Sequence, residues 1–145
     1  MQAISGFWII MYFVPASYED IRKNTMDIRL FLIFAVLSPL MIFMETEAFI
    51  NSSRLLGICP GAVMLLISVI SRGAVGKGDA LVVMWLGFCI GILALSRVLL
   101  LAWTGIFVCA AVKSLKGKKK PIPFIPFLGA AFYLFFAGML FGAEV

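Results

Sequence analysis

Six runs of apolar residues, separated by short polar stretches, leave this chain few ways to fold. They span about Ala3–Ser17, Ile28–Met44, Leu55–Ile70, Leu81–Leu95, Val98–Val112 and Phe124–Phe141. Crossing a bilayer as a helix takes about 17–25 apolar residues. The fourth and fifth runs are short by that measure, but Arg97 between them can snorkel to the interface. Fused into one helix, they would be about 48 Å long at 1.5 Å per residue, too long for a core about 30 Å thick. Six spans are therefore expected rather than five. Composition agrees: 63% of residues are hydrophobic and only 13% charged, against about 25% charged in soluble domains. The expected fold class is an all-α polytopic bundle of about six transmembrane helices, one domain over residues 1–145. No basic residue precedes the first run, so that run is expected to be a retained span rather than a cleaved signal.

The basic residues set the expected orientation. Arg22, Lys23 and Arg29 flank the first polar stretch, and Arg72 and Lys77 lie in the third. Lys113, Lys116, Lys118, Lys119 and Lys120 lie in the fifth. The alternate stretches hold only Arg54 and Arg97. The positive-inside rule makes the first group cytoplasmic and places both termini outside. The cluster Lys116–Lys120 has no aromatic residues interleaved to stack bases. It reads as topology and attraction to anionic lipid, not as a nucleic-acid site.

Histidine is absent, which excludes Ser-His and Cys-His nucleophiles and H-E-x-x-H zinc chemistry. Cys59, Cys89 and Cys109 are odd in number, lie in apolar runs and form no C-x-x-C. They read as small buried hydrophobes, not as a metal or disulfide framework. No metal or other cofactor is expected. A Ser71–Lys77 pair would need a buried lysine, yet Lys77 sits in a glycine-rich interfacial loop. Gly73-x-x-Gly76-Lys77 lacks the spacing and the Ser or Thr of a P-loop.

The carboxylates remain. The three Asp of the chain, Asp20, Asp27 and Asp79, all fall on the expected cytoplasmic side. A carboxylate at the edge of a span is costly. Asp27, after Thr25-Met26 and before the second span, suits an N-cap. Asp79 also suits an N-cap, of the fourth helix, but a cap alone does not call for Gly73, Gly76 and Gly78 in one loop. Asp20 closes the first helix, where the macrodipole disfavours negative charge. A solvated loop charge paired with Arg22 or Lys23 is its plainest explanation. Two carboxylates brought together share a proton. One can then take a proton from water while the other polarises a carbonyl, the division of labour of an aspartic peptidase.

Three stretches carry a resemblance to a known family. Asp20-Ile21-Arg22-Lys23-Asn24-Thr25-Met26 resembles a D-x-R-x-x-x-I segment, and Gly76-Lys77-Gly78-Asp79 matches G-x-G-D. Pro123-Phe124-Ile125-Pro126-Phe127-Leu128-Gly129 resembles a P-F-G-P-F-L lead into the last span. In this order they resemble the type IV prepilin peptidase family of membrane aspartic proteases. The resemblance implies an endopeptidase that removes the short basic leader of prepilin-like precursors at the cytoplasmic membrane face. It implies Asp20 and Asp79 as the catalytic pair and Gly76 and Gly78 as backbone support. Arg22 and Lys77 are candidates for substrate-side electrostatics. The chain departs from the pattern at Asp27-Ile28, where Pro-Asn is frequent, at Leu81, where Lys is frequent, and at Ile125, in place of the motif's central glycine. It has no cytoplasmic insert with paired cysteines, so methyltransferase activity is not implied. Two other classes compete: a catalytically silent partner in pilus or secretion assembly, and a small ion-coupled transporter. A transporter would favour midplane ionisable groups and an internal repeat, and the sequence shows neither.

Overall fold

In the computed structural model, residues 3–23, 27–45, 52–71, 76–115 and 123–142 are described. Gly73, Arg72, Thr25, Met26 and the lysines at 116 and 118–120 lie outside them. The described residues form six helices and no strand: α1 Ala3–Lys23, α2 Ile28–Glu45, α3 Ser52–Ile70, α4 Lys77–Ile90, α5 Ile92–Leu115 and α6 Ile125–Leu140. The all-α expectation holds. Two of the helices, at Ser52–Ile70 and Ile92–Ser114, are long and apolar enough to cross a membrane by length and composition.

The break after α4 differs from the sequence reading. The break between the fourth and fifth helices falls at Gly91, and Arg97 lies inside α5. Gly91 adopts φ 81°, in the left-handed region that glycine alone enters without strain. Its N–H donates to the Gly87 carbonyl at 2.8 Å, and Leu95 N–H donates to the Gly91 carbonyl at 3.0 Å, so the chain turns with its backbone groups paired. Asp27 does cap α2: its Oδ1 accepts the Arg29 N–H at 2.9 Å.

α3 and α4 run antiparallel along a seam of small residues. A Cβ at Gly57 would collide with the Gly87 carbonyl, and one at Gly87 with the Gly57 carbonyl. Gly61 faces the Met84 backbone in the same way. Backbones this close gain dispersion contact that larger side chains would prevent, a common basis of helix association in lipid. At one end of the seam, a Cβ on Gly91 would lie 2.8 Å from Ser53 Oγ.

α6 packs on α1. Gly129 lies against the Phe13 ring, 3.1 Å from its Cδ1 to an added Cβ. The Phe13 and Phe132 centroids are 5.9 Å apart, and Tyr133 Oη donates to the Ile10 carbonyl at 3.3 Å. Trp85 of α4 ties in α1 and α2. Its ring meets Tyr12 edge-on at 4.8 Å, and its Nε1–H donates to Ser38 Oγ at 2.9 Å. Ser38 in turn donates to the Ala35 carbonyl at 3.0 Å, so the buried indole N–H and hydroxyl are both used. The core thus lies among α1, α2, α4, α6 and the first half of α5, and Tyr12, Phe13, Leu86, Leu95, Leu128 and Phe132 are wholly buried.

Candidate active site

Asp20 lies in the last turn of α1, on the same stripe as Tyr12 and Ala16 at four-residue spacing. That stripe faces the core, and Asp20 keeps only 7% of its accessible surface. It is not the solvated loop charge that local sequence suggests. Its Oδ2 accepts the backbone N–H of Ile125, the first residue of α6, at 3.1 Å. That N–H has no partner inside its own helix, and Pro126 beside it has no N–H to offer. A carboxylate there answers an orphan donor and the positive end of the α6 dipole together. Such a contact is worth about 1–2 kcal/mol. Asp20, on α1, therefore caps a helix more than a hundred residues later.

Asp79 does not take the N-cap position that its sequence suits. α4 starts at Lys77, with Gly76 as N-cap and no side-chain cap hydrogen bond. Asp79 is the third residue of the helix and is half-buried. Its carboxyl folds back over Gly76, where an added Cβ would stand 2.7 Å from Oδ2 and 3.1 Å from Cγ. Gly76 has φ −61° and ψ 124°, open to any residue, so glycine is needed there for space rather than for torsion. Gly78 sits in the first turn of α4 and is not among the glycines with positive φ.

Both carboxyl pKa values are raised, chiefly by burial. Burial raises the Asp79 pKa to about 6, and the charge on Asp20 adds to the rise. Burial also raises Asp20, and the Ile125 N–H offsets part of that rise. No cation offsets either rise among the described residues.

Three stretches far apart in sequence thus come to one end of the bundle: Asp20 on α1, Gly76–Asp79 at the head of α4, and Pro123–Gly129 at the head of α6. Two neighbouring carboxyls whose pKa values are both raised, one of them to about 6, can exchange protons with water and a carbonyl near neutral pH. The remaining candidates stand apart. Arg22 is exposed, its guanidinium 5.1 Å from the Tyr18 ring centroid, and Lys77 is exposed. Ser71 Oγ donates to the Ile67 carbonyl at 2.6 Å, a bond to the last turn of α3 that lends nothing to a Ser-Lys pair. Among the described residues no three metal-ligating side chains cluster. Of the cysteines, only Cys89 is buried; Cys59 is exposed and Cys109 intermediate, which corrects the expectation that all three are buried.

An apolar groove of about 950 Å³ runs between α3 and α5, with Pro60, Val63, Met64, Leu100 and Trp103 in its walls. Neither aspartate lines it.

The partnership of Asp20 with Ile125 is what sequence reasoning missed. The signal for it is the Ile125-Pro126 start of α6, where proline marks a helix N-terminus with an N–H to satisfy. It does not say which acidic residue supplies the acceptor.

No family model, curated protein or solved structure matches the chain.

Proposed function

We propose that the chain is a membrane aspartic endopeptidase that removes the short basic leader of prepilin-like precursors at the cytoplasmic face, with Asp20 and Asp79 as its catalytic pair. The observation that carries the reading is the convergence of the three motif stretches on one pair of carboxyls, through the Ile125–Asp20 hydrogen bond and the effect of Asp20 on Asp79. Sequence order alone does not require these stretches to meet. Six spans, both termini outside and a cytoplasmic aspartate end complete the proposal. The apolar exterior supports a lipid setting: Phe107, Leu93 and Val36 keep 77%, 74% and 71% of their surface, which suits contact with acyl chains rather than water.

In this reading water attacks the scissile carbonyl carbon while one carboxylate takes its proton and the protonated carboxyl hydrogen-bonds the carbonyl oxygen. Collapse of the resulting diol breaks the C–N bond, and the leaving nitrogen receives a proton from the dyad. No metal is needed.

The hydrogen bond from Ile125 also favours a second reading, in which Asp20 is only a helix cap and the chain is a silent partner in a membrane assembly. Co-expression with a prepilin-like precursor separates the two. Asp79→Asn abolishes leader removal at normal membrane abundance, whereas Asp27→Asn, which alters only the α2 cap, retains it. Leader removal by Asp79→Asn would end the aspartic mechanism.

A further inference from the structure

We propose that the proton shared by the two carboxyls resides on Asp79, and that the Ile125 N–H at the head of α6 holds Asp20 ionised as the base. This assignment rests on the peptidase reading and divides the labour within it. The two carboxyls have different surroundings. Asp20 is buried and accepts a backbone N–H at 3.1 Å, at the positive end of a 16-residue helix. A donor fixed on a carboxylate favours its charged form. Among the described residues Asp79 has no matching anchor: burial and the charge of Asp20 act on it, and no hydrogen bond does. Its carboxyl lies over the bare backbone of Gly76, in the space a Cβ would fill. Like charges that act on each other do not both ionise readily, and the carboxyl without a fixed donor among the described residues takes the proton.

Burial raises both carboxyls; the Ile125 N–H offsets part of the rise at Asp20, while the charge of Asp20 adds to the rise at Asp79. The other ionisable groups at this end among the described residues include Tyr12, Tyr18, Glu19 and Arg22 on α1, Asp27 and Arg29 at the start of α2, Lys77 on α4 and Lys113 in the last turn of α5. α6 carries no charged residue. None of the cations lowers either carboxyl among the described residues.

The role of Ile125 follows. Its side chain is core, with 1% of its surface left, and its backbone N–H is a positioning group for the base. A side chain where the resembling motif has glycine therefore costs the site nothing, since the group it uses is common to both residues. In the reaction, Asp20 takes a proton from the attacking water as the new C–O bond forms. Asp79 gives its proton to the carbonyl oxygen. When the C–N bond breaks, Asp20 passes its proton to the leaving nitrogen and Asp79 recovers one from the diol, which restores the starting state.

Infrared spectroscopy of the full chain in lipid bilayers tests this without substrate, so the result is readable even if the chain cleaves nothing. At about pH 5, between an ordinary Asp and the raised Asp79, the wild type shows a protonated-carboxyl stretch. Asp79→Asn removes one carboxyl's worth of that band. Asp20→Asn keeps it, because burial, the larger cause of the rise at Asp79, persists. A band that survives Asp79→Asn and is lost in Asp20→Asn overturns the assignment. For Ile125, proline deletes the donor at a position where helices accept it, while Ile125→Ala removes the same core side chain and keeps the N–H. Ile125→Pro moves the ionisation of Asp20 up by about one unit and Ile125→Ala does not. Equal midpoints in the two variants would remove the backbone N–H from the account.

Discussion

At the end where α1, α4 and α6 meet, two carboxyls are taken out of the open surface, and one of them has a fixed donor on another helix. Along the flank formed by α3 and α5, the surface is apolar, open and loosely lined. Asp20 keeps 7% of its surface and has a partner on another helix, whereas Leu100 and Trp103 on α5 keep 69% and 61%. The two regions answer different demands. The aspartate end places a charge where charge is costly, so neighbours must hold it. The flank asks only for an apolar surface and, at the α3–α4 seam, for close backbone approach. Intolerance to change therefore concentrates at two places: the glycine seam, for shape, and the aspartate end, for chemistry. The groove between α3 and α5 tolerates change despite its volume.

The largest expected effect is on the seam. Gly57→Val or Gly87→Val drives side-chain atoms into facing backbone, which cannot yield as a flexible side chain would. A loss of about 3 kcal/mol or more and little folded protein in the membrane are expected, read by detergent-extracted monodisperse yield. Val63→Ala or Leu100→Ala in the groove, both exposed, changes stability by no more than about 0.5 kcal/mol. Equal losses in both sets would erase the contrast.

The next effect belongs to the aspartate end. Gly76→Ala displaces the Asp79 carboxyl and lowers leader cleavage by about 10–100-fold at near-normal abundance. Gly78→Ala, within the first helical turn, costs less. A cleavage assay showing the opposite ranking would mean that the crowding over Gly76 does not set the position of Asp79.

The smallest effect is on stability. A carboxyl whose pKa is raised in the folded state stabilises the fold while protonated, and that contribution is lost as pH rises through about 6 for Asp79. In detergent the wild type thus melts lower at about pH 8 than at about pH 5. Asp79→Asn flattens this dependence and gains about 2–4 °C at the higher pH. An unchanged pH dependence in the variant would show that Asp79 is not the group whose burial is felt.

The two regions were unequally legible. Helix number and class follow from the apolar runs, and the Asp27 cap follows from chemistry two residues wide. Sequence points to Arg97 rather than Gly91 for the break, because the apolar run continues through the turn, and Gly87, a helical glycine four residues earlier, reads the same in sequence. Asp favours N-caps and so marks Asp79 as the start of α4, but Gly76 takes that role and leaves the carboxyl inside. The motifs named Asp20 and Asp79. They did not show that Asp20 is buried or that its donor is a main-chain N–H on the last helix, because any residue but proline could supply that donor. Burial set by distant packing has no local signature.

The central claim is that Asp20 is a reagent as well as a cap, and Asp20→Asn separates the two. Asn retains an oxygen to accept the Ile125 N–H, so the α6 cap and the fold survive, but it cannot take a proton from water. The purified variant, in lipid with a precursor bearing a basic leader, should show wild-type helicity and a thermal midpoint within a few degrees of wild type, and no cleavage. Cleavage at the wild-type rate would reduce Asp20 to a structural cap and contradict the account.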